Sequence, residues 1–217
     1  MIPRPRTHGT RRPGRRAALP LVLAGFLQAP AAAQALDIDT LSERQIAIYD
    51  ISKPAEPGKT FFAATVMNAP LRQLCAIILD YPRYPQFMPN TADTRIVPAA
   101  GEQSLIDMTL ALPLGKTKKY RLRMEAATGE LSCRLAWKLV PSGLRLEDTI
   151  ADTTGHWHLT PHPADQDKTV VEYLVHADPG PVPFGFGWIV DLMSKRSLPR
   201  TLEALRERAA ALQAAAR

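Results

Sequence analysis

Two β-prone runs, QIAIYDIS at residues 45–52 and TFFAATVMN at 60–68, flank the segment KPAEPGK. Two prolines and a glycine in that connection predict an antiparallel hairpin. Pro70 then opens a helix, and Leu71, Leu74, Cys75 and Ile78 recur at the spacing of one helical face. Pro82 stops this helix near Asp80, because the residue before a proline avoids the α region. Pro85 and Pro89 leave room for only a short second helix, from Tyr84 to Phe87. From residue 104 the period changes to two. Ile106, Met108, Leu110 and Leu112 share one face, and so do Tyr120, Leu122, Met124 and Ala126. Leu131, Cys133, Leu135, Trp137 and Leu139 form a third apolar row, with Lys119, Arg121, Arg123, Arg134 and Lys138 on the opposite face. LRLEDTIAD (144–152) and HWHLTP (156–161) read as less regular strands, and TVVEYLVHA (169–177) as a β-branched one. Such alternation describes an antiparallel sheet with one wet and one apolar face. PLGK, ATGE and PSG between the runs suit the turns of a meander.

The period changes again near the end. Trp188, Leu192, Leu198, Leu202 and Leu205 mark a long amphipathic helix, in which Pro199 predicts a kink or a break. The alanine-rich tail beyond Ala209 is expected to fray. A curved sheet gripping one terminal helix leaves space between them, because one helix cannot fill the concave face. An apolar gap of that kind is where a small-molecule site is expected.

Charge changes the picture mainly at the N-terminus. The chain carries 27 Lys+Arg and 21 Asp+Glu, yet residues 1–35 hold six arginines and no acid. Those arginines precede an apolar run, Ala17 to Leu27, and the sequence Ala33-Gln34-Ala35. The order is that of a cleavable secretory signal peptide, whose apolar region is too short to span a bilayer. Arg15-Arg16 leaves general and twin-arginine export both open. Beyond residue 35 the two charges balance, so the basic leader is no argument for nucleic-acid binding. An exported context, periplasmic or secreted, also admits a disulfide between Cys75 and Cys133. Two buried free thiols are the competing reading, since each cysteine sits in an apolar stripe.

The segment NAPLRQLCAIILDYPRYPQFMPN (68–90) resembles a helix-and-bend motif of START-like, polyketide cyclase/dehydrase and coenzyme Q-binding START-domain proteins. GHWHLTP, DKTVVEYLVHADPGPVP and SLPRTLEALRERA are similar to that family's tryptophan strand, its Thr-Val-x-x-Tyr strand with the Pro-Gly loop, and its terminal helix. The resemblance runs from about residue 40 to 210. It implies the α+β helix-grip fold of the SRPBCC superfamily: a curved antiparallel sheet wrapped around a long C-terminal helix, with two short helices after an N-terminal hairpin. The expected organisation is a signal peptide at 1–35, a ligand-binding domain at 36–210 and a frayed tail at 211–217. In such a fold the aromatic bend at residues 79–90 closes one end of an internal hydrophobic cavity.

The residues expected to line that cavity are Tyr84, Phe87, Met108, Tyr120, Leu122, Met124, Leu135, Trp137, Asp148, Trp157, Tyr173, Trp188 and Leu192. Phe184 and Phe186, set among glycines, are the expected portal. Asp148 follows Leu144 and Leu146 onto the apolar face by alternation, where a carboxylate is paired, hydrated or functional. His156 and His158 share a strand face that points to solvent if Trp157 points inward, and no third ligand stands at a metal-binding spacing. The two Gly-Lys-Thr triplets lack the glycine a phosphate loop needs. No catalytic set, metal or cofactor is therefore assigned. Lys119, Arg121, Arg123, Arg134, Lys138 and Arg145 read as a basic outer sheet face, solvated or able to meet anionic headgroups. The function expected is an exported carrier or chaperone for a lipid or other hydrophobic small molecule, with isoprenoid quinone and phospholipid among the candidates. A cyclase or dehydratase in the same cavity is the alternative, and a partner-binding protein with a filled cavity the third.

Overall fold

The computed structural model describes residues 38–98, 104–181 and 197–215. The leader, Phe184, Phe186, Trp188 and Leu192 lie outside these residues. Eight strands form one antiparallel sheet: β1 (Ala47–Asp50), β2 (Lys59–Met67), β3 (Thr91–Val97), β4 (Ser104–Ala111), β5 (Thr117–Thr128), β6 (Cys133–Val140), β7 (Asp152–His162) and β8 (Asp165–Asp178). Their order across the sheet is β1-β2-β8-β7-β6-β5-β4-β3, so every neighbour but β2–β8 is a sequential hairpin. Among the described residues three α-helices accompany them: α1 (Leu71–Leu79), α2 (Tyr84–Phe87) and α3 (Ser197–Ala215).

The first hairpin, α1 and α2 fall where proline placement and periodicity put them. Pro70 is the N-cap of α1, and Leu71, Leu74 and Ile78 are buried, together with Ile77. A 3-10 turn at Tyr81–Arg83 joins α1 to α2, with Pro82 inside it. Helical geometry in α3 runs through the alanine-rich stretch to Ala215, and Pro199 lies in the first described turn. Leu198, Leu202, Leu205 and Ala209 are its buried stripe.

Two strand expectations change. Thr91–Val97, given no element by the periodicity, is the edge strand β3. None of its residues is buried, so it lacks the apolar alternation that marks its neighbours. LRLEDTIAD is a turn-rich connection between β6 and β7 instead of a strand. Only its end is buried, at Thr149 and Ile150. Its backbone is tied to β5 by Lys119 N–H donating to the Asp148 carbonyl at 2.9 Å.

Side chains on the inner sheet face meet the helices at one end. α1 packs across β6, β7 and β8 and against α3. Met67, Leu74, Ile78, Leu135, Leu159, Val171, Leu202 and Leu205 are almost completely buried there. A disulfide joins Cys75 of α1 to Cys133 of β6, with Cα atoms 5.9 Å apart. The bridge pins the helix to the sheet over the filled end of the concave face.

This cross-link spans 58 residues of sequence. Loop-closure entropy for that span amounts to about 4 kcal/mol. A Cys75→Ala/Cys133→Ala double variant is expected to lose stability of this order, read as a lower denaturant midpoint together with a steeper slope from the released unfolded chain. Unaltered stability would show that α1 is held by packing alone.

Candidate ligand cavity

Toward the other end, where β4 and β8 finish and β5 and β7 begin, the described residues leave the inner face uncovered. A cavity of about 210 Å³ lies between the sheet, the α1–α2 bend and the first turn of α3. Ile106, Met108 and Leu110 of β4 and Tyr120, Leu122 and Met124 of β5 form one wall. Trp137, Trp157, Tyr173, Val175 and Ala177 form the opposite wall. Tyr84, Met88 and Asn90 close it from the bend, and Ile150, Ser197, Leu198 and Thr201 from the rim. Asn90 sits in the left-handed region, φ 58°, which asparagine tolerates better than most residues. Its carbonyl accepts from Ala111 N–H, so the bend is stitched to the end of β4.

The aromatic wall is built by pairing. Trp157 faces Tyr173 across β7 and β8, and their ring centroids are 4.1 Å apart. Trp137 lies 5.6 Å from the same tyrosine ring. Trp137 pairs with Gly155 on β7, and a Cβ on that glycine would fall 2.4 Å from the indole and 2.3 Å from the Leu174 carbonyl oxygen. The missing side chain is the space in which the indole lies. Trp137 N–H reaches Thr153 Oγ1 at 3.5 Å, and that hydroxyl donates to the His176 carbonyl at 2.8 Å.

Asn90, Thr91, Thr153, Ser197 and Thr201 bring polar groups to the lining beside three tyrosines, and the tyrosines are not equivalent. Tyr84 donates its hydroxyl proton to the Ile78 carbonyl at the end of α1. Tyr120 and Tyr173 donate to nothing among the described residues. Burial raises the Tyr120 phenol to about 12. Burial raises Tyr173 further, with the nearby Tyr120 adding to the effect. Tyr84 is likewise raised well above its ordinary value, chiefly by burial. All three are neutral donors at any physiological pH. No carboxylate, imidazole, amine or thiol lines the cavity among the described residues.

Other expected lining residues lie elsewhere. Leu135 points inward but is buried beneath α1, not in the open part of the face. Phe87 packs edge-on against Tyr84 at 5.7 Å on the outer side of the bend, with the Arg208 guanidinium 5.9 Å above its ring. Asp148 is exposed and pairs with Arg145 at 3.0 Å, because its segment has no strand partner to continue the alternation. Arg145 sits in the same connection and so does not belong to the basic sheet face. Arg121 does, but as the partner of Asp107, at 2.6 and 2.9 Å. His156 and His158 face outward, and His158 pairs with Glu172 at 2.6 Å.

Gly155, Thr153, Ile150 and Lys118 were not anticipated. A glycine inside a strand signals close backbone approach, which was the available cue for Gly155. Lys118 shares the inward parity of Tyr120 and Leu122, and it is 6% exposed. Its ammonium donates to the carbonyls of Thr149 at 2.6 Å, Pro179 at 2.8 Å and Leu146 at 3.4 Å. Burial lowers its pKa, and the Asp178 and Asp148 charges oppose that shift. Lys118 thus clamps the rim connection onto the end of β8.

Comparison with known proteins enters at this geometry. The family model described as polyketide cyclase / dehydrase and lipid transport matches residues 67–206, well over half of the chain. The chain belongs to this family. A STAR-related lipid transfer protein from Xanthomonas axonopodis superposes with a TM-score of 0.60 at 20% identity, over 76% of this chain and 93% of that one. Human StAR-related lipid transfer protein 5 gives 0.61 at 12% identity, over 77% and 83%. The Zhui aromatase/cyclase from Streptomyces sp. R1128 gives 0.53 at 12% identity, over 76% and 94%. At these identities the likeness is one of fold, and the sheet, bend and terminal helix are those of the helix-grip fold. A comparison with curated protein sequences found no match.

Two substitutions test this construction. Gly155→Ala is expected to cost about 1–3 kcal/mol through overpacking, with altered tryptophan fluorescence as the Trp137 ring is displaced. Wild-type stability with unchanged fluorescence would show that β7 yields freely. Lys118→Met removes the donor from three carbonyls, two of them buried, and is expected to cost about 1–3 kcal/mol. Hydrogen exchange should show faster exchange at Ala151, whose N–H is bonded to the Asp178 carbonyl. Unchanged protection there would argue against the clamp.

Proposed function

We propose that this chain binds a hydrophobic small molecule or lipid in the cavity and carries it without transforming it. The observation that supports this most is the lining: mostly apolar and aromatic side chains, with neutral phenols, hydroxyls and one amide as the polar groups among the described residues. Transfer of ligand surface from water to such a lining contributes roughly 25 cal/mol per Å² buried. The family's description and the lipid-transfer names of two structural neighbours point the same way. The aromatase/cyclase neighbour keeps a cyclase reading in view. That chemistry calls for a general base matched to the working pH. The described lining offers only tyrosines, and burial pushes them away from ionisation.

A volume of about 210 Å³ suits a ring system or a short length of chain better than an entire phospholipid. Within the same proposal the chain is exported by its cleavable leader, and the ligand exchanges at a membrane surface. Leu114, Leu144 and Leu146 are exposed in the connections at the open end of the sheet, beside Lys119 and Arg145. Apolar tips flanked by cations are suited to an anionic bilayer.

Native mass spectrometry with organic extraction, on protein purified from its own host, tests the carrier reading. A defined hydrophobic species is expected to co-purify and to be lost from a Trp157→Gln variant that retains its circular dichroism. Protein that stays empty, and takes up neither quinones nor phospholipids when offered them, would sink the reading. The N-terminal residue of the same sample tests export: Leu36 is expected, and an intact Met1 would refute cleavage.

A further inference from the structure

The hydroxyls of Tyr120 and Tyr173 make no hydrogen bond to the described residues, unlike that of Tyr84. Both rings are half-buried and line the cavity, so these hydroxyls are open to whatever occupies it. Thr153 donates to His176, Thr201 to the Ser197 carbonyl, and Tyr84 to Ile78. The two remaining tyrosines come from distant strands, β5 and β8, and both line the same space.

We propose that Tyr120 and Tyr173 form a donor pair that selects ligands carrying a carbonyl group on an otherwise neutral, apolar ring or chain. This inference deepens the carrier reading above and rests on it. When a ligand displaces water from the cavity, a donor left without an acceptor is costlier than an acceptor with a spare lone pair. A carbonyl oxygen offers lone pairs and no proton, so it answers donors without adding a new unmet one. A hydrocarbon of the same shape leaves both donors unanswered.

Charge separates carbonyls from carboxylates. An anion in this cavity would need a paired cation. The nearest buried cation, Lys118, directs its ammonium to three carbonyls and is not among the lining residues. The same surroundings raise the pKa of both phenols, which is the response of a site that disfavours negative charge. The aromatic wall of Trp137 and Trp157 around Tyr173 suits a flat ring attached to that carbonyl.

Three probes of nearly one size test this with the purified chain: methyl naphthyl ketone, ethylnaphthalene and naphthoate. Binding is followed by titration calorimetry and by tryptophan quenching, in wild type and in a Tyr120→Phe/Tyr173→Phe variant that removes only the two hydroxyls. Wild type is expected to bind the ketone about tenfold more tightly than the hydrocarbon, with naphthoate weakest. The ratio of ketone to hydrocarbon affinity should fall to within about twofold in the double variant. Equal affinities in wild type, a ratio that survives loss of both hydroxyls, or naphthoate as the tightest probe would each overturn the donor pair. Those outcomes leave cavity binding standing. If wild type binds none of the three, the carrier reading itself fails and takes this inference with it.

Discussion

The inner face of eight antiparallel strands presents more apolar surface than one helix can cover, and the rest of the molecule follows from how that excess is handled. At one end α1 is laid over β6, β7 and β8, and the two helices together with the sheet close into a dry core. At the other end there is no second long helix among the described residues. The surface there is lined by large aromatic rings and bounded by the rim connections, which leaves a cavity where a second helix would otherwise pack. Packing density in a closed core is close to that of organic crystals, so an unfilled space of this size is a feature to be explained.

Different devices hold the two ends. The filled end relies on the Cys75–Cys133 bridge and on leucine and isoleucine contacts, which are non-directional and tolerant of small shifts. The cavity end relies on directional groups. Lys118 holds the β6–β7 connection to the chain after β8, Asn90 holds the bend to β4, and Gly155 admits the Trp137 indole. A rim fixed by hydrogen bonds keeps its shape without needing side chains in the middle. That arrangement allows the interior to stay open while the sheet around it remains ordered.

Much of the fold was legible because one buried face forces period-two alternation, and a one-residue error would turn every side chain over. Tyr120, Leu122 and Met124 could be assigned to the inside from that parity alone. Parity does not say where along a strand a residue meets open space. Leu135 and Trp137 are neighbours on the same inward row, yet one is under α1 and the other lines the cavity. Nor does parity hold where no strand partner exists, which is why Asp148 was carried inward on the strength of Leu144 and Leu146. β3 escaped for the opposite reason: it has one strand neighbour and no buried residue, so its sequence bears little record of pairing. Lys118 was hidden by its type, since a lysine between exposed cations reads as one more solvated charge until its three carbonyl partners are seen.

The distinction among the three tyrosines was the least legible of all, and it bears most on what the cavity can do. Identical side chains on the same lining differ only in what lies within reach of the hydroxyl. Tyr84 follows α1 closely enough to cap its last turn, so its proton serves the fold. Tyr120 and Tyr173 arrive from strands, whose own carbonyls are already engaged in the sheet, and their protons remain available. A neutral donor in a dry site discriminates by whether a guest brings an acceptor, and it does so without the protonation cycle that catalysis would require. Under the carrier reading proposed above, the chemistry these phenols offer is recognition, and the same burial that keeps them neutral keeps them from serving as bases.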